Sequence, residues 1–389
     1  MKILVVPSWY PPNGGRFYKF QAEALAEKGH QVDVLILEEI GLSQKRNFKI
    51  EAKDSILVNE IRYKYYRLPK LNSLNIKLYL MKYKKIIKEY ISRQKPDVIH
   101  AQSCTWAGVA VSEIALKNNI PYIISEQKSI FFKEKLPYNK KFSKLVYSAY
   151  HYSSHIIANS IMMKKSLDKY SDSQITVVPN LVDYEFFKPK KTNTKKEVFT
   201  FITAGNLLPV KGYDILINAF SALYLETKKN IELKIIGKGK DLEKLKNLAK
   251  KTVAGNLLEK GIFFCGYKTK EELLLEYNYS NVYVSSSRME TFGMTIIEAM
   301  SCGLPVVATK SGGPQDIVNN ENGYLAELNN AISLQSKMQK MLDNYSNFDS
   351  EKIRQNVIRL QSVNIKPCLF LLNLTILDVF ELALIVLDG

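Results

Sequence analysis

The chain has 389 residues, 46% hydrophobic and 24% charged, a soluble globular balance long enough for two ordinary domains. Fifty-five Lys and Arg against 38 Asp and Glu leave a net charge of +17, which calls for an anionic partner or surface. Cys104, Cys265, Cys302 and Cys368 are scattered without C-x2-C spacing, which supports neither a zinc site nor a disulfide framework. No helix-turn-helix, zinc finger or RNA-binding aromatic signature is present, so nucleic acid is not the expected partner.

Met1 to Pro7 reads as a first strand ended by proline and not as a signal peptide, so a cytoplasmic protein is expected. Lys2 to Pro7, Val32 to Leu37, Val98 to Ala101 and Tyr122 to Ser125 are short apolar runs, separated by helical patterns at Phe20 to Lys28 and Trp106 to Asn118. Strands at Ile156 to Ala158 and Thr176 to Pro179 close this half. Alternation of strand and helix predicts a parallel sheet. Tyr79 to Arg93 sets Lys82, Lys84, Lys85, Lys88 and Arg93 beside a stripe of Leu80, Tyr83, Ile87 and Tyr90, and Lys133 to Lys144 adds a basic cluster beside Phe131 and Phe132. Such a helix either turns its stripe into a core, the commoner arrangement, or lies on an anionic membrane surface. His100 follows a strand and suits either a cleft or packing, and His151 and His155 stand four apart on an expected helix, with no carboxylate set nearby to complete a metal site.

The lysine-rich stretch 188–197 reads as a linker. Beyond it the alternation resumes: strand Phe199 to Thr203, helix Asp214 to Thr227, strand Leu233 to Ile236, helix Asp241 to Lys250, strand Ile262 to Cys265, helix Lys270 to Tyr277 and strand Val282 to Ser286. The expected architecture is α/β: two Rossmann-like domains, 1–187 and 198–358, facing across a cleft at their strand C-termini. Ile235-Ile236-Gly237-Lys238-Gly239 follows a strand, but Leu242 replaces the third glycine of a dinucleotide fingerprint and no acidic residue closes the next strand. The Walker pattern is absent as well.

The most informative stretch is Ser287 to Pro305. Gly293 permits a tight turn, Met294 to Cys302 can form a short helix, and Gly303 and Pro305 end it. Glu290 then lies in the loop and Glu298 in the helix, on either side of backbone N–H groups that can hold a phosphate without a metal. Carboxylates are poor phosphate ligands, so their natural partners are the hydroxyls of a sugar and a ribose. The pattern suits a sugar nucleotide.

This segment resembles the E-x7-E signature of family 4 retaining glycosyltransferases of the two-domain GT-B fold. Pro11-Pro12-Asn13-Gly14-Gly15-Arg16 and Leu25 to Val32 resemble the family's opening glycine loop, helix and second strand. Ala204-Gly205-Asn206-Leu207-Leu208-Pro209-Val210-Lys211-Gly212 resembles its phosphate loop, Ile236-Gly237-Lys238-Gly239 its nucleotide-side turn, and Ser311-Gly312-Gly313-Pro314 the turn after E-x7-E. The resemblance covers roughly residues 1 to 330 in the family's order. It implies an acceptor-binding first domain and a donor-binding second domain. It further implies that Glu290 contacts the donor sugar, Glu298 the ribose, the backbone of Phe292, Gly293, Met294 and Thr295 the diphosphate, and Lys211 the leaving phosphate. Gly15, Asn206 and Gly237 line the nucleotide sugar on this reading. No D-x-D pair occurs, so the implied transfer needs no metal; the resemblance also implies that it uses no cofactor and retains the anomeric configuration.

Two positions depart from the family. Asn206 stands where an arginine is usual, and Gln127 where a histidine near the donor sugar is usual; glutamine can hydrogen-bond a hydroxyl but takes no proton. After Arg359 the sequence no longer matches the family's C-terminal helix, and 359–389 is an apolar tail interrupted by Asp378 and Glu381. We read that tail as a frameshift or truncation product, with a weak membrane anchor as the rival. The expected function is transfer of a hexose from a nucleoside diphosphate sugar to a glycan, lipid-linked at the inner face of the plasma membrane, in surface polysaccharide or lipopolysaccharide assembly. The alternative is a catalytically weak sugar-nucleotide or glycan-binding protein of the same fold.

Overall fold

The computed structural model describes residues 1–11, 15–40, 52–54, 57–66, 72–133, 136–190 and 198–360. These fall into two compact units that divide between Leu181 and Val182. Most of the expected linker and of the apolar tail, together with Cys368 and Pro12 to Gly14, lies outside the described residues.

In the first unit the strands are β1 (Lys2–Pro7), β2 (Gln31–Ile40), β3 (Ala52–Asp54), β4 (Asn59–Tyr66), β5 (Val98–Gln102), β6 (Tyr122–Glu126), β7 (His155–Ala158) and β8 (Ile175–Val177). They form one sheet in the order β3-β4-β2-β1-β5-β6-β7-β8, in which only the β3–β4 pair is antiparallel. The central strand β1 is covered on both faces, so Ile3, Leu4, Val5 and Val6 are all fully buried, as a near-continuous apolar run in a parallel sheet requires. The helix Asn72–Arg93 turns Leu80, Tyr83, Ile87 and Tyr90 into the core. Lys84 pairs with Glu113, Lys85 with Glu89, and Lys82 donates to the Lys64 carbonyl. The stripe therefore packs inward and does not face a membrane.

His151 ends the helix Lys140–His151 while His155 opens β7, so the two do not share a helix face; the chain turns between them. His155 meets the Thr176 hydroxyl at 2.9 Å. His100 in β5 is 3% exposed; its Nε2 lies 2.7 Å from Ser125 Oγ and its Nδ1 has no partner. It is a packed strand residue.

In the second unit the strands are β9 (Phe199–Ala204), β10 (Ile231–Ile236), β11 (Ile262–Gly266), β12 (Val282–Ser285), β13 (Val306–Thr309) and β14 (Gly323–Ala326), in the order β11-β10-β9-β12-β13-β14. All five pairs are parallel. Residues 182–187 belong to this unit and not to the first as expected, because Val182 and Phe187 are buried in its core. The last helix among the described residues, over 350–360, buries Ile353 and Val357 in the same core. Its Arg354 Nη1 donates to the carbonyls of Tyr184 (2.8 Å), Phe187 (2.9 Å) and Ser301 (2.8 Å). Cys104 and Cys302 are buried free thiols and Cys265 is half-buried. Among the described residues no helix is long and apolar enough to cross a membrane.

Two outcomes follow from these cores. Arg354→Ala should cost about 2–3 kcal/mol, since it strips a charged donor from three carbonyls; chemical denaturation reads the loss, and hydrogen exchange should localise it to 182–187 and 294–301. Burial pulls the His100 imidazole down to about 4 from its ordinary 6.5, so the unfolded chain takes up a proton in that window while the folded chain does not. Stability therefore falls as pH drops from 6.5 towards 4, by about 2.5 kcal/mol at pH 4.5 from this group. The difference between wild type and His100→Asn in urea titrations at the two pH values isolates it.

Candidate functional site

Strand order in the second sheet runs outward from β9 to β11 on one side and from β12 to β14 on the other. The loops after β9 and β12 therefore part at a topological switch point, where open α/β sheets form a ligand crevice.

The loop after β9 is held without side chains in the way. A Cβ on Gly237 would stand 1.9 Å from the Gly205 carbonyl oxygen. The gap is closed by Gly205 N–H donating to the Ile236 carbonyl (3.0 Å) and Leu207 N–H to the Lys238 carbonyl (2.9 Å). Gly212 has φ +62° and a Cβ there would stand 2.1 Å from the Ser286 carbonyl, so only glycine fits. Ser286 Oγ donates to the Lys211 carbonyl at 3.0 Å and Arg288 N–H to the Val210 carbonyl at 2.8 Å. The Arg288 guanidinium reaches the Pro209 carbonyl (2.6 Å) and both oxygens of Asp214 (2.9 and 2.7 Å), a bidentate fork that holds the Asp214 carboxyl below its ordinary range. Lys211 thus sits on a turn fixed from two sides, and the Arg288 charge is committed to Asp214.

Glu290 is placed by its backbone: its N–H donates to the Ser311 carbonyl (2.9 Å) and its carbonyl accepts from Gly313 N–H (2.8 Å). Its Oε2 lies 2.5 Å from Lys211 Nζ, so the expected phosphate cation and the expected sugar carboxylate form one ion pair. Neither is fully buried, which leaves both open to a ligand.

The helix Met294–Ser301 begins at Gly293, φ +112°. The N–H groups of Ile296 and Ile297 donate to the Gly293 carbonyl, which leaves those of Met294 and Thr295 without intrahelical acceptors, an arrangement suited to an anion. Thr295 Oγ1 accepts from Tyr283 OH at 2.6 Å, and the same hydroxyl lies 3.2 Å from the Ala204 carbonyl, which ties the helix start to β9 and β12. Phe292 is 1% exposed in the core, so only its backbone is available. Glu298 is half-buried one turn into the helix, and Asn206 is exposed at the loop.

Gly15 and Gln127 belong to the first unit. Gly15 has φ +74° and a Cβ there would stand 2.5 Å from the Trp9 carbonyl, so the opening loop's own closure demands glycine. Gln127 accepts from Asn180 Nδ2 at 2.7 Å and is largely buried. Sequence reasoning missed its neighbour Glu126. This carboxylate is fully buried and accepts from the N–H groups of Cys104, Gln127 and Lys128 and from Tyr150 OH, each at 2.8 Å. Ser103 Oγ adds a contact at 3.3 Å. The signal was a lone acid closing the apolar strand Tyr122-Ile123-Ile124-Ser125-Glu126. Among the described residues no group of three or more His, Cys, Asp or Glu gathers to hold a metal.

Two family models match consecutive parts of the chain: Glycosyltransferase Family 4 over residues 15–186 and Glycosyl transferases group 1 over residues 185–359. An uncharacterized glycosyltransferase of Methanocaldococcus jannaschii is 28% identical over 88% of this chain and 89% of its own. A GDP-mannose-dependent alpha-mannosyltransferase of Corynebacterium glutamicum is 25% identical over 79% of this chain and 71% of its own. Among solved structures, sucrose-phosphate synthase from Thermosynechococcus elongatus shares the fold with a TM-score of 0.76, at 19% identity and over the whole of both chains. With the glycine-built loops, the Lys211–Glu290 pair and the open helix start at Gly293 in the order its motifs require, the chain belongs to the family 4, group 1 glycosyltransferases and has their GT-B type of α/β fold.

Proposed function

We propose that the chain is a retaining, metal-independent hexosyltransferase that takes its sugar from a nucleoside diphosphate donor and passes it to a glycan. The observation that carries this reading is the Lys211–Glu290 pair at 2.5 Å, set on loops of the same switch point as the first N–H groups of the helix that starts at Met294. The helix start takes the diphosphate and Lys211 neutralises the charge that grows on it as the glycosidic bond breaks. Glu290 steers Lys211 and accepts from donor-sugar hydroxyls, while Glu298 accepts from the ribose. The leaving phosphate then takes the acceptor's proton and the configuration is retained. A relative whose name states a GDP-mannose donor supports a sugar nucleotide here.

The helix Lys140–His151 supports an acceptor held at an anionic membrane surface, at the cytoplasmic face, as in surface polysaccharide assembly. It buries Phe142, Val146, Ala149 and Tyr150 and leaves Lys140, Lys141, Lys144, Leu145 and Tyr147 exposed, a basic face with apolar side chains between the charges. The engagement of Gln127 by Asn180 favours the second reading, a binder with little turnover.

One nucleotide family among UDP-, GDP-, ADP- and dTDP-sugars should raise the melting temperature with EDTA present. Lys211→Ala should lower kcat roughly 10²- to 10³-fold and Glu298→Ala should chiefly raise donor KM. Loss of turnover in EDTA would remove metal independence, an inverted anomer in product NMR would remove retention, and nucleotide binding without product would establish the binder. Replacing Lys140, Lys141 and Lys144 with Glu should release the protein from phosphatidylserine vesicles, scored by sedimentation at low salt, and unchanged sedimentation would remove the membrane contact.

A further inference from the structure

Beneath the helix start at Gly293 lies a buried phenol that the transfer described above does not use. Tyr283 stands in β12 and is 2% exposed. It packs in one core with Ile296, Ile297 and Ala299 of the helix Met294–Ser301, and its ring meets that of Tyr277 edge to face at 6.0 Å. Burial raises its hydroxyl far above the ordinary value of 10.0, so the phenol stays neutral and keeps its one hydrogen to give. Two acceptors lie within reach: Thr295 Oγ1 at 2.6 Å and the Ala204 carbonyl at 3.2 Å.

We propose that the Thr295 hydroxyl is a donor to the diphosphate in addition to the backbone N–H groups, and that Tyr283 is the positioning residue that makes it one, by donating to Thr295 Oγ1 so that the Thr295 hydrogen turns outward. The identity of the anion rests on the transferase reading, but the direction of the hydrogen rests on the side-chain geometry.

A threonine hydroxyl carries one hydrogen and rotates it to suit its neighbours. Inside a helix that hydrogen commonly returns to a carbonyl of the preceding turn. Thr295 is the second residue of its helix, so no preceding turn competes for it. Among the described residues Tyr283 is the sole hydrogen-bond partner of Thr295 Oγ1. Thr295 is partly exposed while Tyr283 is buried, so the hydroxyl stands between the phenol and the open helix start. The reverse arrangement has Thr295 donating inward and Tyr283 donating to Ala204, and it gives the phenol hydrogen to the longer contact. An anion at the helix start selects the outward arrangement, because the phenol passes from one acceptor to the other by turning its O–H bond while every heavy atom stays in place.

A neutral donor carries weight at this site because the cations beside it are already balanced. Lys211 is paired with Glu290, and the Arg288 fork holds Asp214. A diphosphate meets carboxylate there as well as ammonium, and a hydrogen bond to a charged oxygen is stronger than one to a neutral acceptor.

Calorimetry on the full chain in EDTA tests this, with UDP, GDP, ADP and dTDP set against uridine, guanosine, adenosine and thymidine. For the nucleoside diphosphate that wild type binds, Thr295→Val should weaken binding at least about tenfold and Tyr283→Phe roughly threefold. The double variant should bind no more weakly than Thr295→Val alone, because Tyr283 acts through that hydroxyl. Thr295→Ser keeps the hydroxyl and should restore most of the affinity, and nucleoside binding should not respond to any of these changes. Losses that multiply in the double variant would show that Tyr283 supports only the fold, and full affinity in Thr295→Val would remove the donor; either result overturns the proposal and leaves the transferase reading intact. Coupled losses in a chain that forms no glycoside would sink the transferase reading and leave the hydroxyl site standing. Failure of wild type to bind any of the four nucleoside diphosphates would sink both.

Discussion

Backbone at the β9/β12 switch point is packed so closely that no side chain fits between its loops. Gly237 lies against the carbonyl of Gly205, and Gly212 against that of Ser286. Because these contacts are between main chains, the positions of the Lys211 turn and of the Glu290 loop are set by covalent geometry and hydrogen bonds and not by adaptable side chains. That is what lets two residues 79 apart in sequence meet at 2.5 Å. A single methyl group at Gly212 would push the β12 loop away and separate the cation from its carboxylate.

The first unit solves a similar problem with charge. Glu126 is taken wholly out of water, a placement that is tolerable only because N–H and O–H donors surround its oxygens. Those donors come from three stretches: the turn after β5 through Ser103 and Cys104, the loop after β6 through Gln127 and Lys128, and the helix 140–151 through Tyr150. Ser103 adopts φ +72°, an uncommon conformation for a non-glycine residue, at the place where its N–H bonds the Ser125 carbonyl and its hydroxyl faces this carboxylate. One buried acid therefore shapes the loop edge of the first sheet.

Much of this was legible in the chain. Buried parallel strands such as β1, β9 and β12 are near-continuous apolar runs, and the glycines that end them mark the loops. β4 was overlooked although Glu60-Ile61-Arg62-Tyr63-Lys64 alternates charge with apolar residues, the period of a strand; only its pairing with β2 is a tertiary fact. The pairings at this switch point were not readable, since nothing local says that Lys211 chooses Glu290 or that Arg288 chooses Asp214. The opposite error arose at His151 and His155, where a four-residue spacing promised one helix face and the chain turned between them. Attention to Gln127 as a substituted position hid Glu126 beside it, whose importance lies in donors drawn from elsewhere in the fold.

Arg354 does more than close the core. It caps the carbonyl of Ser301, the last residue of the helix whose first N–H groups are proposed to take the diphosphate. A cation fixed at the negative end of a two-turn helix acts in the same direction as the dipole that draws phosphate to the positive end. On the proposed reading, donor affinity and the stability of the second unit share one side chain, and by linkage a bound sugar nucleotide would hold the helix over 350–360 more firmly in place.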